Sequence, residues 1–141
     1  MEAVRLAEGL WRWTTPEFGG VYYEAPEAVV LFDPLLPAGE EQRFLEHLDR
    51  DVERLGLPVS ILLTAAREER SAPFLRERYQ ADDRVPATVE AYAVDSAQAE
   101  QLAYFIRPHR ALVVAGLGDW PAAIYELPVE LVLVSNPARS S

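Results

Sequence analysis

Cysteine and lysine are both absent from this 141-residue chain, methionine occurs once, and histidine twice. Without cysteine there is no disulfide, no thiolate metal ligand and no cysteine nucleophile. With His47 and His109 as the only imidazoles, a site built from several histidines is excluded. Long apolar runs are missing as well. None approaches the ~20 residues that span a bilayer, and the runs at 28–37 and 111–117 are short and bounded by Pro, Asp or Gly. Glu2, Arg5 and Glu8 interrupt any apolar leader, so no export signal is read and the expected location is cytoplasmic. Positive charge is scarce: 13 basic residues, all Arg, face 23 acids, for a formal net charge of −10. That balance disfavours a phosphate backbone, and the arginines form no basic stripe. Neither a nucleic acid nor a membrane is an expected partner.

What is present describes one α/β domain over residues 1–141. The apolar fraction is 50%, and the acids are spread rather than blocked, which argues for a packed core. Residues 4–6, 10–14, 21–24 and 28–32 read as strands, broken at Gly9, Pro16, Gly19-Gly20 and Pro26. Val29–Phe32 is continuously apolar, as a strand buried on both faces would be, and Asp33-Pro34 ends it. From Glu40 to Leu55 the spacing turns helical, with Phe44, Leu45, Leu48, Val52 and Leu55 on one stripe and Gly56 as the stop. Val59–Leu63 is a second buried strand, so 28–63 predicts a right-handed strand–helix–strand crossover.

Beyond it, Ser71 is placed to cap a helix running to about Tyr79. A strand is expected near 88–94, a helix from Asp95 or Ser96 to Ile106, and strands at 111–115, 122–126 and 130–134. The end, 135–141, is expected to fray.

Val29-Val30-Leu31-Phe32-Asp33-Pro34-Leu35-Leu36-Pro37, the acidic helix, and Pro58-Val59-Ser60-Ile61-Leu62-Leu63-Thr64 together resemble the first half of a metallo-β-lactamase-fold protein. Ala111-Leu112-Val113-Val114-Ala115-Gly116 is similar to the strand that delivers a metal-bridging Asp, and Trp11-Arg12-Trp13 with Pro16–Gly20 looks like the opening of hydrolase-like members. The resemblance runs over roughly residues 4–120 and implies a shortened fold of that kind, a mixed sheet packed with about three helices. It also implies a zinc motif, His-x-His-x-Asp-His, directly after Thr64. The four liganding places fall on Ala65, Arg67, Glu69 and Arg70, and the bridging Asp on Gly116, with Asp119 three residues further on. An alanine has no donor atom, and guanidinium groups do not deprotonate to bind a cation. The resemblance therefore implies the scaffold without its zinc, and no cofactor is expected.

The remaining candidates are read on both sides. Arg67, Glu68, Glu69 and Arg70 lie on a strand-to-helix loop, where α/β proteins bind ligands. They point either to a small anion held by Arg67 and Arg70 or to exposed ion pairs, each worth ~0–1 kcal/mol. Asp33 and Thr64 read as a structural brace, and Asp119-Trp120-Pro121 as a turn before it is a site. His47 lies on the acidic helix and His109 in a loop, and no serine has a nucleophile-elbow context. Trp11, Trp13, Phe18, Tyr22 and Tyr23 either fill the core or form a face for self-association. The leading expectation is a non-catalytic, metal-free binding or interaction module that forms a homodimer. The alternatives are a hydrolase with Mg or Mn on Asp33, Glu68, Glu69 and Asp119, and a small-anion module on Arg67 and Arg70.

Overall fold

A computed structural model describes residues 2–14, 19–65, 69–95, 100–116 and 120–135. The chain begins with three antiparallel strands, β1 (Glu2–Ala7), β2 (Leu10–Thr14) and β3 (Gly19–Glu24), followed by β4 (Val29–Phe32). Helix α1 (Glu41–Leu55) crosses over to β5 (Val59–Leu62), and α2 (Ala72–Tyr79) follows. The second half holds β6 (Val89–Asp95), β7 (Glu100–Ile106), β8 (Ala111–Val114), the short α3 (Ala122–Tyr125) and β9 (Leu131–Val134). The α/β class and the helix count are as expected, and the strands divide into two mixed sheets. Sheet A has the order β1-β2-β3-β4-β5 and sheet B the order β6-β7-β8-β9. In each, the last pair is parallel and the others antiparallel.

The two sheets face each other across one core. Leu10, Val21, Tyr23, Val30 and Phe32 of sheet A meet Tyr104, Ile106, Val113 and Leu133 of sheet B. The outer face of sheet A, with Trp13, Tyr22, Leu31 and Ile61, takes the apolar sides of α1 and α2. The outer face of sheet B, with Ala103, Phe105, Leu112 and Val114, packs against Ile124 and the irregular chain around it. This layering explains why β4 reads as continuously apolar: one side faces the sheet–sheet core and the other the helices.

Helix α1 follows its sequence signals closely. Leu48 is buried on sheet A with Phe44, Leu45, Val52 and Leu55 beside it. Gly56 ends the helix at φ 63°, its N–H donating to the Val52 carbonyl at 3.0 Å. Ser71 precedes α2, but its hydroxyl does not cap the helix; it accepts the Leu36 N–H at 2.8 Å and so ties the chain after β4 to the start of α2.

Three expectations are corrected. Glu100–Ile106 is strand β7, not the end of a helix. Ala103–Ile106 is apolar at every position because this part of the strand is buried on both faces, and with the exposed Leu102 before it the run satisfies helical spacing by accident. Ala122–Tyr125 is a helical turn opened by Pro121, not a strand. Ser135 does not fray: it is buried, and its N–H donates to the Val114 carbonyl at 2.9 Å. The rest of the expected tail, 136–141, lies outside the described residues. The far edge of sheet A is closed by the chain itself. The Ile61 N–H donates to the Asp82 carbonyl at 2.8 Å, the Asp82 N–H to the Val59 carbonyl at 3.2 Å, and the Ser60 hydroxyl to the Asp82 carboxylate at 2.9 Å.

Candidate functional site

The ends of β3, β4, β5 and β9 converge on one polar cluster. Asp33, the residue after β4, is fully buried and takes a left-handed φ of 48°. A residue with a Cβ meets steric cost there, and Asp is among those that tolerate it. Its N–H extends the parallel ladder by donating to the Leu62 carbonyl at 3.1 Å. The turn aims the carboxylate at the residue after the neighbouring strand. Thr64 donates its N–H to Oδ1 at 2.8 Å and its hydroxyl to Oδ2 at 2.6 Å. Burial raises the Asp33 pKa above the usual carboxylate range, while Ser135, the two Thr64 hydrogen bonds and the Arg70 charge pull the other way. The Ser135 hydroxyl has no partner that meets hydrogen-bond geometry, so its influence on Asp33 is that of a nearby dipole rather than a formed bond.

Arg70 supplies the cation of the cluster. Its own φ is 48°, which turns the side chain back from the start of α2 towards the strand ends. Nη1 donates to the carbonyls of Gly19 and Asp33, both at 2.8 Å, and Nη2 to the carbonyl of Ser135 at 2.9 Å. One guanidinium thus ties β3, β4 and the end of β9, and so joins sheet A to sheet B. The Ser135 carbonyl also accepts the Gly19 N–H at 2.9 Å. A planar fork with five donors suits this task in a way an ammonium does not.

The loop after β5 is also held from the sheet B side. Leu102 donates its N–H to the Thr64 carbonyl at 2.7 Å, and the Tyr104 hydroxyl donates to the Leu63 carbonyl at 2.7 Å. Ala65 forms an isolated bridge with Gln101. Burial raises the Tyr104 pKa, and the charge of Asp33 adds to the effect, so this phenol stays a donor.

Of the residues singled out in the sequence, Asp33, Thr64 and Arg70 come together. Glu69 is exposed beside them. Arg67, Glu68 and Asp119 lie outside the described residues. Gly19, Ser135, Leu102 and Tyr104 were not anticipated. Gly19, Leu102 and Ser135 contribute through backbone groups, which carry no residue signature, and Tyr104 through its hydroxyl; Ser135 had one available signal, a hydroxyl residue just past a parallel strand, as Thr64 is past β5. His109 is a structural neighbour, edge-on to Tyr23 with centroids 5.5 Å apart, and burial lowers its pKa.

A metal ion, which the resemblance implies for this loop, does not fit the side chains described. Ala65 offers a methyl group, Arg70 offers donors already given to carbonyls, and both Asp33 oxygens accept from Thr64. Among the described residues no three His, Cys, Asp or Glu side chains gather as a metal-binding group. Among the same residues no helix is long and apolar enough to cross a membrane.

No family model matches the sequence, and no curated protein matches it. Solved structures do. The crystal structure of VMB-1 superposes with a TM-score of 0.64 at 12% identity, covering 96% of this chain and 89% of that one. A metallo-β-lactamase of Cronobacter sakazakii with a HARLDQ motif gives 0.58 at 13% identity, covering 99% and 79%. One from Pontibacter korlensis gives 0.51 at 14% identity, covering 96% and 91%. At these identities the likeness is one of architecture, and the chain has a metallo-β-lactamase-like fold.

Proposed function

We infer that this domain is a non-catalytic, metal-free form of the fold that works as a binding or interaction module. The observation that carries the reading is the placement of Arg70. A fixed guanidinium, bonded to carbonyls of three chain segments, occupies the loop from which a metal would be held. A cation built into the chain repels a second one and already orders the strand ends around it. Asp33 supports the same reading, because its two oxygens serve the Thr64 turn and none of the residue is exposed.

This reading is preferred to a carboxylate-bound Mg or Mn hydrolase. Hard cations accept oxygen shells, but of the four acids expected for one, Asp33 is committed and Glu68 and Asp119 lie outside the described residues. It is also preferred to an anion module on Arg67 and Arg70, since both terminal nitrogens of Arg70 donate to backbone carbonyls. The proposal does not extend to self-association. Trp13, Tyr22 and Tyr23, expected to offer a dimer face, spend their apolar area inside the chain.

Elemental analysis of protein expressed with added zinc, manganese and iron, then dialysed, tests the reading. Metal far below one ion per chain is expected, together with no turnover of lactam, ester or phosphodiester substrates. Stoichiometric retained metal that drives turnover of any of them overturns it.

A further inference from the structure

Away from the Asp33–Arg70 cluster, a cleft of about 470 Å³ opens between the outer face of the β1–β2 hairpin and the flank of α1. Its volume falls in the range of small-molecule sites, about 300–1,000 Å³. None of Asp33, Thr64 and Arg70 lines it. We propose that this cleft binds a small, flat arene carrying a carboxylate, through the ring surfaces of Trp11 and Phe44, the Arg43 guanidinium and the His47 ring N–H.

The apolar part of the cleft is rigid. Trp13 is buried, donates its indole N–H to the Leu35 carbonyl at 3.1 Å and lies 5.2 Å from the Phe44 ring, centroid to centroid. Its ring is pressed on Gly20, where a Cβ would stand only 2.5 Å away. Tyr22 is fixed by its hydroxyl, which donates to Glu24 at 2.6 Å. Trp11, by contrast, is 39% exposed and lines the same space. An exposed indole beside a preformed aromatic floor accepts a stacked ring with little further ordering.

The polar part selects the charge. Arg43 and His47 stand one helical turn apart on the wall of α1 that faces the cleft, neighbours on one helix flank. No hydrogen bond or close ion pair holds either side chain among the described residues, although the Arg43 charge acts on Glu40, which also lines the cleft. Of the acids lining the cleft, Asp51 is held by Arg54 at 3.3 Å, and Glu40 lies one turn before Arg43, on the side away from His47. A carboxylate between Arg43 and His47 gains charge-assisted hydrogen bonds. The distant acids that make the chain negative are screened over about 8 Å at physiological salt.

Isothermal titration of the whole protein with naphthoate, naphthylmethanol and naphthylmethylammonium tests the assignment. Naphthoate is expected to bind one per chain, with the alcohol and the ammonium at least about tenfold weaker. In an Arg43→Gln, His47→Gln double variant, naphthoate should fall to the level of the alcohol while the alcohol is unchanged. Trp11→Ala should weaken both. All three substituted side chains are surface groups, and circular dichroism checks that each variant is folded. The proposal is overturned by absent saturation with naphthoate, by a double variant that binds it as before, or by preference for the ammonium. Light scattering covers the remaining occupant: a dimer that Trp11→Ala dissolves places a second copy in the cleft and also overturns the proposal. Retained metal, which bears on the loop after β5, leaves these outcomes unaffected.

Discussion

The pairings β2-β3-β4-β5 and β6-β7-β8-β9 follow the same plan, antiparallel, antiparallel, parallel, with a helix between the two parallel strands. In the first half the intervening helix is α1, of 15 residues; in the second it is α3, of 4. The strand ends differ in the same direction. After β4 comes Asp33, whose carboxylate binds Thr64, whereas after β8 comes Ala115, with no polar group to give. The second half contributes its backbone instead: the Ser135 carbonyl goes to Arg70 and to the Gly19 N–H. The comparison separates scaffold from chemistry. One strand plan is built twice, and among the described residues the charged side chains gathered at the strand ends, Asp33 and Arg70, belong to the first copy.

Removing the link between the halves should have the largest effect. Arg70→Met deprives three carbonyls of a charged donor, and since such bonds are worth about 1.5–3 kcal/mol each without adding fully, a loss of about 3–5 kcal/mol is expected in urea denaturation. Arg70→Lys should recover less than half, because an ammonium does not present the planar fork. A loss below about 1 kcal/mol for Arg70→Met counts against the latch.

The helical covers can be compared next. Leu31 in β4 and Leu112 in β8 are both 0% exposed on the outer faces of their sheets. Leucine-to-alanine changes in cores cost about 2–5 kcal/mol, more where the surroundings do not collapse. Leu31→Ala, under α1, is expected near the top of that range and Leu112→Ala, under the irregular chain around α3, near the bottom. Equal losses would remove the distinction between a rigid and a yielding cover.

Asp33→Asn isolates the charge of the first half. Because burial raises the pKa of Asp33 in the folded chain, the folded state holds its proton more firmly than the unfolded state does. Stability from this group is therefore full below the unfolded carboxylate pKa and is lost as pH rises through the folded one. Asn does not titrate, so the substitution should cost more at pH ~4 than at pH ~7.5. A cost that grows with pH reverses the sign and rejects the raised pKa.

The smallest effect is expected at the exposed pair of Arg78 and Asp49, joined at 2.5 Å on the surface. Arg78 lowers the Asp49 pKa, so this pair acts above the ordinary carboxylate range and fades as pH falls. Arg78→Ala should cost less than about 1 kcal/mol at neutral pH and less in high salt.

The first half was also the legible one. Val29–Phe32, the stripe on α1 and Gly56 each announced their structure because the chain there alternates clearly between sheet and helix patterns. The second half misled where burial on both faces removed the period-two pattern of Ala103–Ile106, and where Ala122–Tyr125 was too short to show any period. At the site, the pairing of Asp33 with Thr64 could be read from two strand ends that a crossover brings together. The role of Arg70 could not, since its acceptors are backbone oxygens 51, 37 and 65 residues away.

The hydrogen bonds that Asp82 makes along β5 have a bearing on the protein as a solute. A bare strand at the rim of a sheet is a template on which another chain can polymerise. Here that rim is taken by the protein's own backbone at Val59 and Ile61, while the opposite rim, β1, shifts register between Arg5 and Ala7. Along β5, sheet A therefore offers no open border on which a neighbouring molecule could add a strand.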